Sequence, residues 1–199
     1  MPADKLDLFQ EHQDEYVAPR EPVLVDVGPA QYLAIDGSGV PGGESFQAMM
    51  GAIFGAAYTI KMTVKADGRD YKVCPPEGLW PNACDGVPKE QWTWTLQVRT
   101  PDFITDDDLA AAKQKLLDKG KGPEIEAVEL RTLHEGQCVQ VLHVGPYDTE
   151  SETIATMHAF AAEQGLTVRG PHHEIYLSDP RRAEPEKLKT LLRQPVQPS

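Results

Sequence analysis

Short apolar runs alternate with polar stretches along the first hundred residues, and the period of the pattern changes along the chain. Residues 23–27 and 31–36 are apolar-rich and are separated by Gly28-Pro29, which predicts two strands joined as a hairpin. From Glu44 the apolar side chains recur every three or four positions, which predicts a helix with one buried stripe. The stripe consists of Phe46, Met49, Met50, Ile53 and Ala57.

Strands resume after this helix at residues 71–73 and 92–98, and Trp92 and Trp94 fall on the apolar, buried face of the second. Thr105 and Asp108 form a capping signature, which predicts a connecting helix at 105–119. The second half of the chain then repeats the order of two strands, a helix and two strands. These elements are predicted at residues 128–134, 137–143, 149–164, 172–178 and 187–194.

The two halves also share sequence. Displacing the chain against itself by 106 positions gives seven identities in 33 aligned positions, among them Leu24 with Leu130 and Gly39 with Gly145. We therefore predict an α+β fold of two duplicated βαββ repeats, an antiparallel sheet with helices on one face. The predicted organisation is a poorly ordered tail at 1–21, then one domain at 22–196. Its repeats cover about 22–101 and 126–196, and a helical connection at 102–125 joins them.

Charge and composition limit the classes of partner. The chain has 31 acidic and 19 basic side chains, a net charge of −12 that is divided equally between its halves. A phosphate backbone requires a basic surface, so we expect no nucleic-acid partner. No apolar stretch approaches the roughly 18 residues of a membrane span, so we expect no membrane partner. The start of the chain lacks signal-peptide features, and three cysteines, Cys74, Cys84 and Cys138, without zinc spacing favour a cytoplasmic location.

The clearest candidate chemistry lies in the predicted strand at 172–178. Strand alternation places His172, Glu174 and Tyr176 on one face and His173 on the other. A carboxylate two residues from a phenol suits the binding of a cation or the transfer of a proton. A solvated sheet face is the alternative interpretation. Because His172 and His173 point in opposite directions, we expect no metal site.

Trp80 is the aromatic residue with the least evident place in a core. It lies in the proline-rich segment 75–81, which predicts a loop. A large aromatic side chain in a loop is a candidate wall for a ligand, and a purely structural role is the alternative.

Taken together, these motifs resemble the GyrI-like small-molecule binding domains, in their stand-alone form. The resemblance spans about 22–196 and rests on four features besides the repeat. These are Glu135-Gly136, Gly145-Pro146-Tyr147, Glu77-Gly78-Leu79-Trp80 and the run from His172 to Arg182.

The resemblance implies two repeats of the SHS2 type around a pseudo-two-fold axis, with a ligand cleft between them and no cofactor. Similar stand-alone members are linked to the hydrolysis of cyclopropanoid DNA-alkylating natural products, a detoxifying activity. Carried over to this chain, the resemblance implies Glu174 as the catalytic carboxylate, Tyr176 as its partner and Trp80 as a pocket wall. Further candidates for ligand-binding residues are Tyr147, Phe46, Met50 and Tyr58.

Three functions stay open at this point. The first is a hydrolase with Glu174 as general base, and the second is a protein that binds and sequesters lipophilic, aromatic or cationic molecules without turning them over. Family members also act as the drug-sensing half of multidrug regulators, a role that we do not expect here because the residues before Pro22 are too few for a helix-turn-helix segment. The third function is an acidic inhibitor of DNA gyrase, with that enzyme as the protein partner.

Overall fold

A computed structural model describes residues 5–82 and 86–199, so Cys84 lies outside the described residues. The chain divides into two compact units. Unit 1 comprises residues 1–11, 30–74 and 82–133, and unit 2 comprises residues 12–29, 75–81 and 134–199. Each unit contains an antiparallel sheet and at least one packed helix, which confirms the predicted α+β class.

Five α-helices and nine strands lie within the described residues. The helices are α1 (Leu8–Glu11), α2 (Gln13–Tyr16), α3 (Glu44–Ala66), α4 (Asp106–Leu117) and α5 (Glu150–Glu163). The strands are β1 (Val23–Val27), β2 (Ala30–Ser38), β3 (Pro76–Trp80), β4 (Thr93–Arg99), β5 (Glu129–Leu133), β6 (Gly136–Val144), β7 (Leu166–Val168), β8 (His172–Tyr176) and β9 (Lys189–Pro198).

Unit 1 is organised around β2, which pairs with β4 on one side and β5 on the other. Helix α3 packs on β2 and β4, and α4 packs on α3. Thr105 and Asp108 form the predicted capping box at the start of α4. Gly37 on β2 lies under the Trp94 ring, where an added Cβ would come within 2.0 Å of the indole. The core of this unit therefore depends on a residue without a side chain.

Unit 2 has the strand order β1-β6-β9-β8-β3, and the short β7 pairs with the far end of β9. Helix α5 covers one face of β6 and β9. The buried cluster between them comprises Val139, Val141, Met157, Ala161, Leu192 and Val196. Burial of these apolar side chains fixes which face of the sheet meets α5.

The register of the strands follows the internal repeat. Leu24 of β1 pairs with Val139 of β6, while Leu33 of β2 pairs with Leu130 of β5. Adding 106 to 24 and 33 gives 130 and 139, so the two pairings are equivalent under the duplication. The first strand of each repeat therefore pairs with the second strand of the other repeat. The predicted hairpin of residues 23–27 and 31–36 is wrong, because Gly28-Pro29 carries the chain from one unit to the other instead of folding it back.

Two further segments and one side chain differ from the sequence prediction. Residues 71–73 form no strand and contribute only an isolated bridge between Leu6 and Tyr71, whereas the predicted loop at 75–81 contains β3. Proline-rich segments favour turns, but Pro76 is the first residue of β3 and the pairing with β8 begins at Glu77, so the missing backbone N–H falls outside that pairing. Trp92, predicted to be buried, is half-buried and donates its indole N–H to the Val87 carbonyl at 2.9 Å.

The segment before residue 22 also departs from the predicted poorly ordered tail. Residues 13–16 form a helical turn, and Tyr16 is only 2% exposed. Its hydroxyl donates to a Glu77 carboxylate oxygen at 3.1 Å. Burial of an aromatic ring and a polar contact hold this part of the chain against unit 2, which a charge-rich sequence pattern does not reveal.

Candidate functional site

Strand β8 separates two groups of polar residues in unit 2. Glu174 and Tyr176 pair in register with Leu192 and Thr190 of β9, so they lie on the face that α5 covers. His173 pairs with Arg193 and lies on the opposite face. The predicted alternation along this strand is therefore present.

Glu174 is enclosed instead of solvated. Its side chain is 14% exposed, and the Tyr176 hydroxyl donates to its Oε2 at 2.8 Å. Burial raises the pKa of Glu174 to about 7, while hydrogen bonds from the Tyr176 and Trp80 side chains act in the opposite direction. A solvated sheet face does not describe this carboxyl group, which titrates near neutral pH.

Gly78 on β3 makes room for this arrangement. It pairs with Glu174, and an added Cβ would lie 2.9 Å from both the Trp80 Nε1 and the Tyr176 hydroxyl. Trp80 follows two residues along the same strand and is 5% exposed. The absence of a side chain at Gly78 therefore leaves space beside the carboxyl for the Trp80 indole of β3 and for the Tyr176 phenol of β8 itself.

Tyr147 lies against the outer side of Tyr176. The two rings meet edge to face, with centroids 5.9 Å apart, and Tyr147 is 41% exposed. Burial and the nearby acidic groups Glu150 and Glu174 raise the pKa of Tyr147 to about 12. Tyr147 therefore offers an accessible aromatic surface next to the buried acid.

A second carboxyl group, Glu150, lies at the start of α5 on the same face. It is 5% exposed, and its Oε1 has no hydrogen-bond partner among the described residues. Burial and the charge of Glu174 raise the pKa of Glu150 to about 9, with Thr190 acting in the other direction. At neutral pH this carboxyl therefore carries its proton.

His172 completes the group on this face. Its Nε2 lies 3.7 Å from the Glu174 Oε1, and burial lowers its pKa to about 3, so the imidazole is neutral. Neither ring nitrogen has a hydrogen-bond partner in the described part of the chain. We refer to Glu150, Glu174, Tyr176, Trp80, Tyr147 and His172 as the Glu174 site.

The opposite face of β8 carries a fully paired set of charges. His173 lies between two carboxylates, with Nε2 3.0 Å from Glu77 and Nδ1 3.0 Å from Glu135. Arg193 donates to Glu135 at 2.8 Å and to Gln140 at 2.9 Å. The two carboxylates raise the pKa of His173 to about 9, whereas His173 and Arg193 lower that of Glu135 to about 2. We call His173, Glu77, Glu135 and Arg193 the His173 cluster.

Three of the predicted ligand-binding residues belong to α3 of unit 1. The Phe46 ring packs edge to face on Trp94 at 5.1 Å, Met50 is half-buried, and Tyr58 is 55% exposed and stacks on Phe54 at 6.1 Å. The ligand role of Phe46, Met50 and Tyr58 stays a prediction. Unit 1 also has a cavity of about 330 Å³ between α4 and β5, and none of the predicted site residues lines it.

Among the sequence-predicted residues, unit 2 brings together Glu174, Tyr176, Trp80 and Tyr147. Sequence reasoning missed Glu150, because an acidic residue in the first turn of a helix is ordinarily a solvated charge that stabilises the helix start. The available signal was its position three residues after Gly145-Pro146-Tyr147, a motif already singled out.

Within residues 5–82 and 86–199, no group of three or more His, Cys, Asp or Glu side chains has the arrangement of a metal site. Over the same ranges, no helix has both the length and the apolar character needed to cross a bilayer.

The fold and the enclosed, aromatic-lined carboxyl group describe a domain that takes small organic ligands. The sequence matches the family described as GyrI-like small molecule binding domain over residues 20–197, and the chain belongs to that family.

Three solved structures from Listeria innocua are similar along the whole chain. An uncharacterized conserved protein is 40% identical with a TM-score of 0.91, covering 97% of this chain and all of its own. A protein named a hydrolase is 39% identical with a TM-score of 0.88 and the same coverage. A hydrolase encoded by lin2189 is 38% identical with a TM-score of 0.89, covering 98% of this chain and all of its own. Among curated proteins, none matches the chain.

Proposed function

We propose that this protein binds flat, lipophilic small molecules at the Glu174 site and hydrolyses cyclopropanoid compounds among them, with Glu174 as the general base. The observation that carries the proposal is the enclosed position and raised pKa of one carboxyl group. Glu174 is enclosed, its Oε2 accepts a hydrogen bond from Tyr176 at 2.8 Å, and its pKa is raised to about 7.

A carboxyl group with this pKa is suited to general-base catalysis near neutral pH. A group that titrates near the working pH is half deprotonated there and still has a useful affinity for a proton. An ordinary solvated glutamate is ionised but is a much weaker base. The burial that raises the pKa of Glu174 therefore also gives it the basicity that activation of a water molecule requires.

The proposed reaction opens a cyclopropane ring that is conjugated to a dienone. A water molecule attacks the ring methylene, a C–O bond forms, and the ring C–C bond breaks. The electron pair of that bond moves through the dienone to the carbonyl oxygen, which becomes a phenolate and then takes up a proton. Glu174 accepts the proton that the water loses, and Tyr176 orients Glu174 through the hydrogen bond between them.

Two further observations support hydrolysis over other chemistry. Two solved structures that are 39% and 38% identical to this chain are named hydrolases. The aromatic surfaces of Tyr147, Tyr176 and Trp80 suit a flat polycyclic substrate, because stacked or edge-on rings add to the free energy of apolar burial.

The test is turnover of a cyclopropanoid drug by purified protein, followed by chromatography of the ring-opened product. We expect Glu174→Gln to lower kcat by roughly a hundredfold or more, because general-base catalysis contributes 10²–10⁴-fold, while drug binding persists. Glu163→Gln, at the exposed end of α5, is the matched control and should retain full activity. Turnover by Glu174→Gln at the wild-type rate would exclude Glu174 as the base.

Binding without catalysis is the second candidate. A carboxyl group beside two tyrosine rings is an arrangement that also suits lipophilic cations. Calorimetry with cationic dyes tests binding, and the turnover assay then distinguishes the two candidates, since a pure binding protein would bind dye and drug tightly yet leave the drug intact. Inhibition of DNA gyrase stays a prediction.

A further inference from the structure

We propose that Glu150 is the acid of the Glu174 site: it protonates the substrate oxygen on which negative charge develops, while Glu174 deprotonates the water. The inference rests on the proposed hydrolysis. It assigns the second proton transfer of that reaction to a residue that the sequence analysis did not single out.

Contacts on both sides fix the position of Glu150. Before it, the Tyr147 ring packs against Tyr176 with centroids 5.9 Å apart. After it, Thr153 meets the His143 Nδ1 of β6 at 2.8 Å. These contacts hold the start of α5 over β8 and β6, so the carboxyl of Glu150 is a fixed part of the site.

One oxygen of the Glu150 carboxyl has no polar partner. The residue is 5% exposed, yet its Oε1 accepts or donates no hydrogen bond among the described residues. A buried polar atom without a partner destabilises a fold by an appreciable free energy, and a catalytic role is one reason for a native protein to retain it. An unpaired carboxyl oxygen beside the base is available to a ligand atom.

The surroundings of Glu150 keep it protonated. The titratable groups that face it are Glu174 and Tyr176 from β8, Tyr147 from the preceding turn and His143 from β6, while β9 contributes the uncharged Thr190. Two carboxyl groups in one enclosed site cannot both ionise readily, so one of them holds a proton. The Tyr176 hydroxyl donates to the Glu174 Oε2 at 2.8 Å, which favours the ionised form of Glu174, whereas the Oε1 of Glu150 has no donor among the described residues. The proton therefore lies on Glu150, and the pKa values of about 9 for Glu150 and about 7 for Glu174 have the same order.

The position of Glu150 at the start of α5 favours the release of that proton. The helix begins at Glu150 and has 14 residues, so its dipole places partial positive charge at this end. Once Glu150 has given its proton to the phenolate oxygen, the resulting carboxylate lies where an anion is stabilised. Glu150 is therefore protonated at rest, and its carboxylate is stabilised by the helix dipole after the proton has been transferred.

The protons balance over one turnover. At rest Glu150 is a carboxylic acid and Glu174 a carboxylate. The water oxygen bonds to the ring methylene, one water proton moves to Glu174, and the Glu150 proton moves to the substrate oxygen. The product therefore carries an alcohol at the former methylene and a phenol at the former carbonyl. Exchange of one proton through solvent, from Glu174 to Glu150, restores the resting state.

Two measurements on the full chain test the assignment. Infrared or carboxyl-carbon NMR spectroscopy at pH 8, midway between the two pKa values, should show a protonated carboxyl signal that Glu150→Gln removes. In turnover of the cyclopropanoid drug, Glu150→Gln should lower kcat by roughly a hundredfold and remove the decline in rate at high pH. Glu152→Gln, exposed in the same helical turn, is the matched control and should change neither readout.

The outcomes separate this inference from the proposed function. If wild type turns over the drug and Glu150→Gln matches it in rate and pH profile, Glu150 is not the acid although the hydrolase proposal stands. Absence of the protonated carboxyl signal at pH 8 overturns the assignment as well. A wild-type protein without turnover overturns the hydrolase proposal, and the catalytic role of Glu150 with it. An unchanged melting temperature of Glu150→Gln excludes misfolding as the cause of lost activity.

Discussion

Buried carboxyl groups on the two faces of β8 have different kinds of neighbours. In the His173 cluster, Glu77 and Glu135 meet two cationic side chains, and the pKa of Glu135 is lowered to about 2. In the Glu174 site, Glu150 and Glu174 meet aromatic rings, a neutral imidazole and each other, and both pKa values are raised. Glu135 is therefore an anion at neutral pH on one face, whereas Glu174 exchanges a proton near neutral pH on the other.

The contrast shows what each face contributes. Buried charges that pair with opposite charges hold β3, β8, β9 and the turn before β6 together in the His173 cluster. The pKa values of Glu135, about 2, and of His173, about 9, both favour the charged forms at neutral pH. Buried acids without cationic partners reduce stability but gain a pKa in the range that catalysis uses. On β8, His173 thus belongs to a set of contacts that stabilises the fold, and the next residue, Glu174, belongs to the candidate reactive site.

The largest expected effect comes from breaking the His173 cluster. Replacing Arg193, which is 1% exposed, with Met removes one cation and leaves Glu135 with a single cationic partner in the protein interior. Loss of one partner of a buried ion pair destabilises by about 3–5 kcal/mol, so we expect a fall of that size in the free energy of unfolding, measured in urea.

The matched variant on the other face is Glu174→Gln, which removes a buried acid instead of a paired charge. Because the wild-type carboxyl loses hydration without gaining a cation, this change should leave the free energy of unfolding at pH 7 equal or higher. Equal destabilisation by the two variants would contradict the distinction between the faces.

A second expected effect is the dependence of stability on pH. Glu174 has a folded pKa of about 7 against its ordinary 4.5, so between these values the folded state holds a proton that the unfolded state has released. Stability is therefore lost as pH rises through this window, by about 3 kcal/mol for a shift of this size. Glu150 acts in the same direction, between its ordinary 4.5 and about 9.

The measurement is the difference in unfolding free energy between wild type and the double variant Glu150→Gln, Glu174→Gln, from pH 5 to pH 9. We expect wild type to lose stability relative to the variant as pH rises. His172, whose pKa is lowered, acts in the opposite direction but is common to both proteins and cancels in the difference. The His173 contribution, lost above pH 6.5 as pH rises through about 9, also cancels. A difference that does not change with pH would show that neither acid has a raised pKa.

Local pattern was sufficient to predict most elements of the fold, and the reasons it failed are specific. The helix from Glu44 and the capping box at Thr105 follow from spacing that the structure retains. Which strands pair is a long-range property of the chain. The turn at Gly28-Pro29 therefore does not reveal that β1 pairs with β6 and β5 with β2, each in the other repeat. The 106-residue repeat links the two pairings, because a pairing of β1 with β6 implies the equivalent pairing of β5 with β2.

The candidate site shows the same limit. Alternation along β8 predicts that Glu174 and Tyr176 share a face, and the structure has them 2.8 Å apart. Alternation does not reveal which residues approach that face from α5 and β3. The burial of Glu150 and the space that Gly78 leaves depend on packing between elements distant in sequence.

The smallest expected effect tests how tightly the Glu174 site is packed. In Gly78→Ala, the new Cβ would lie 2.9 Å from both the Trp80 Nε1 and the Tyr176 hydroxyl, so one of these side chains must move away from Glu174. Overpacking of this kind costs about 1–3 kcal/mol, and we expect destabilisation near the lower end together with weaker ligand binding. Gly51→Ala on α3 is the matched control. Its Cβ would meet nothing within 4 Å, and alanine should stabilise the helix by roughly 0.5–1 kcal/mol. Unchanged affinity and stability in Gly78→Ala would mean that Trp80 and Tyr176 can move without cost, and that the aromatic contacts do not hold Glu174 in place.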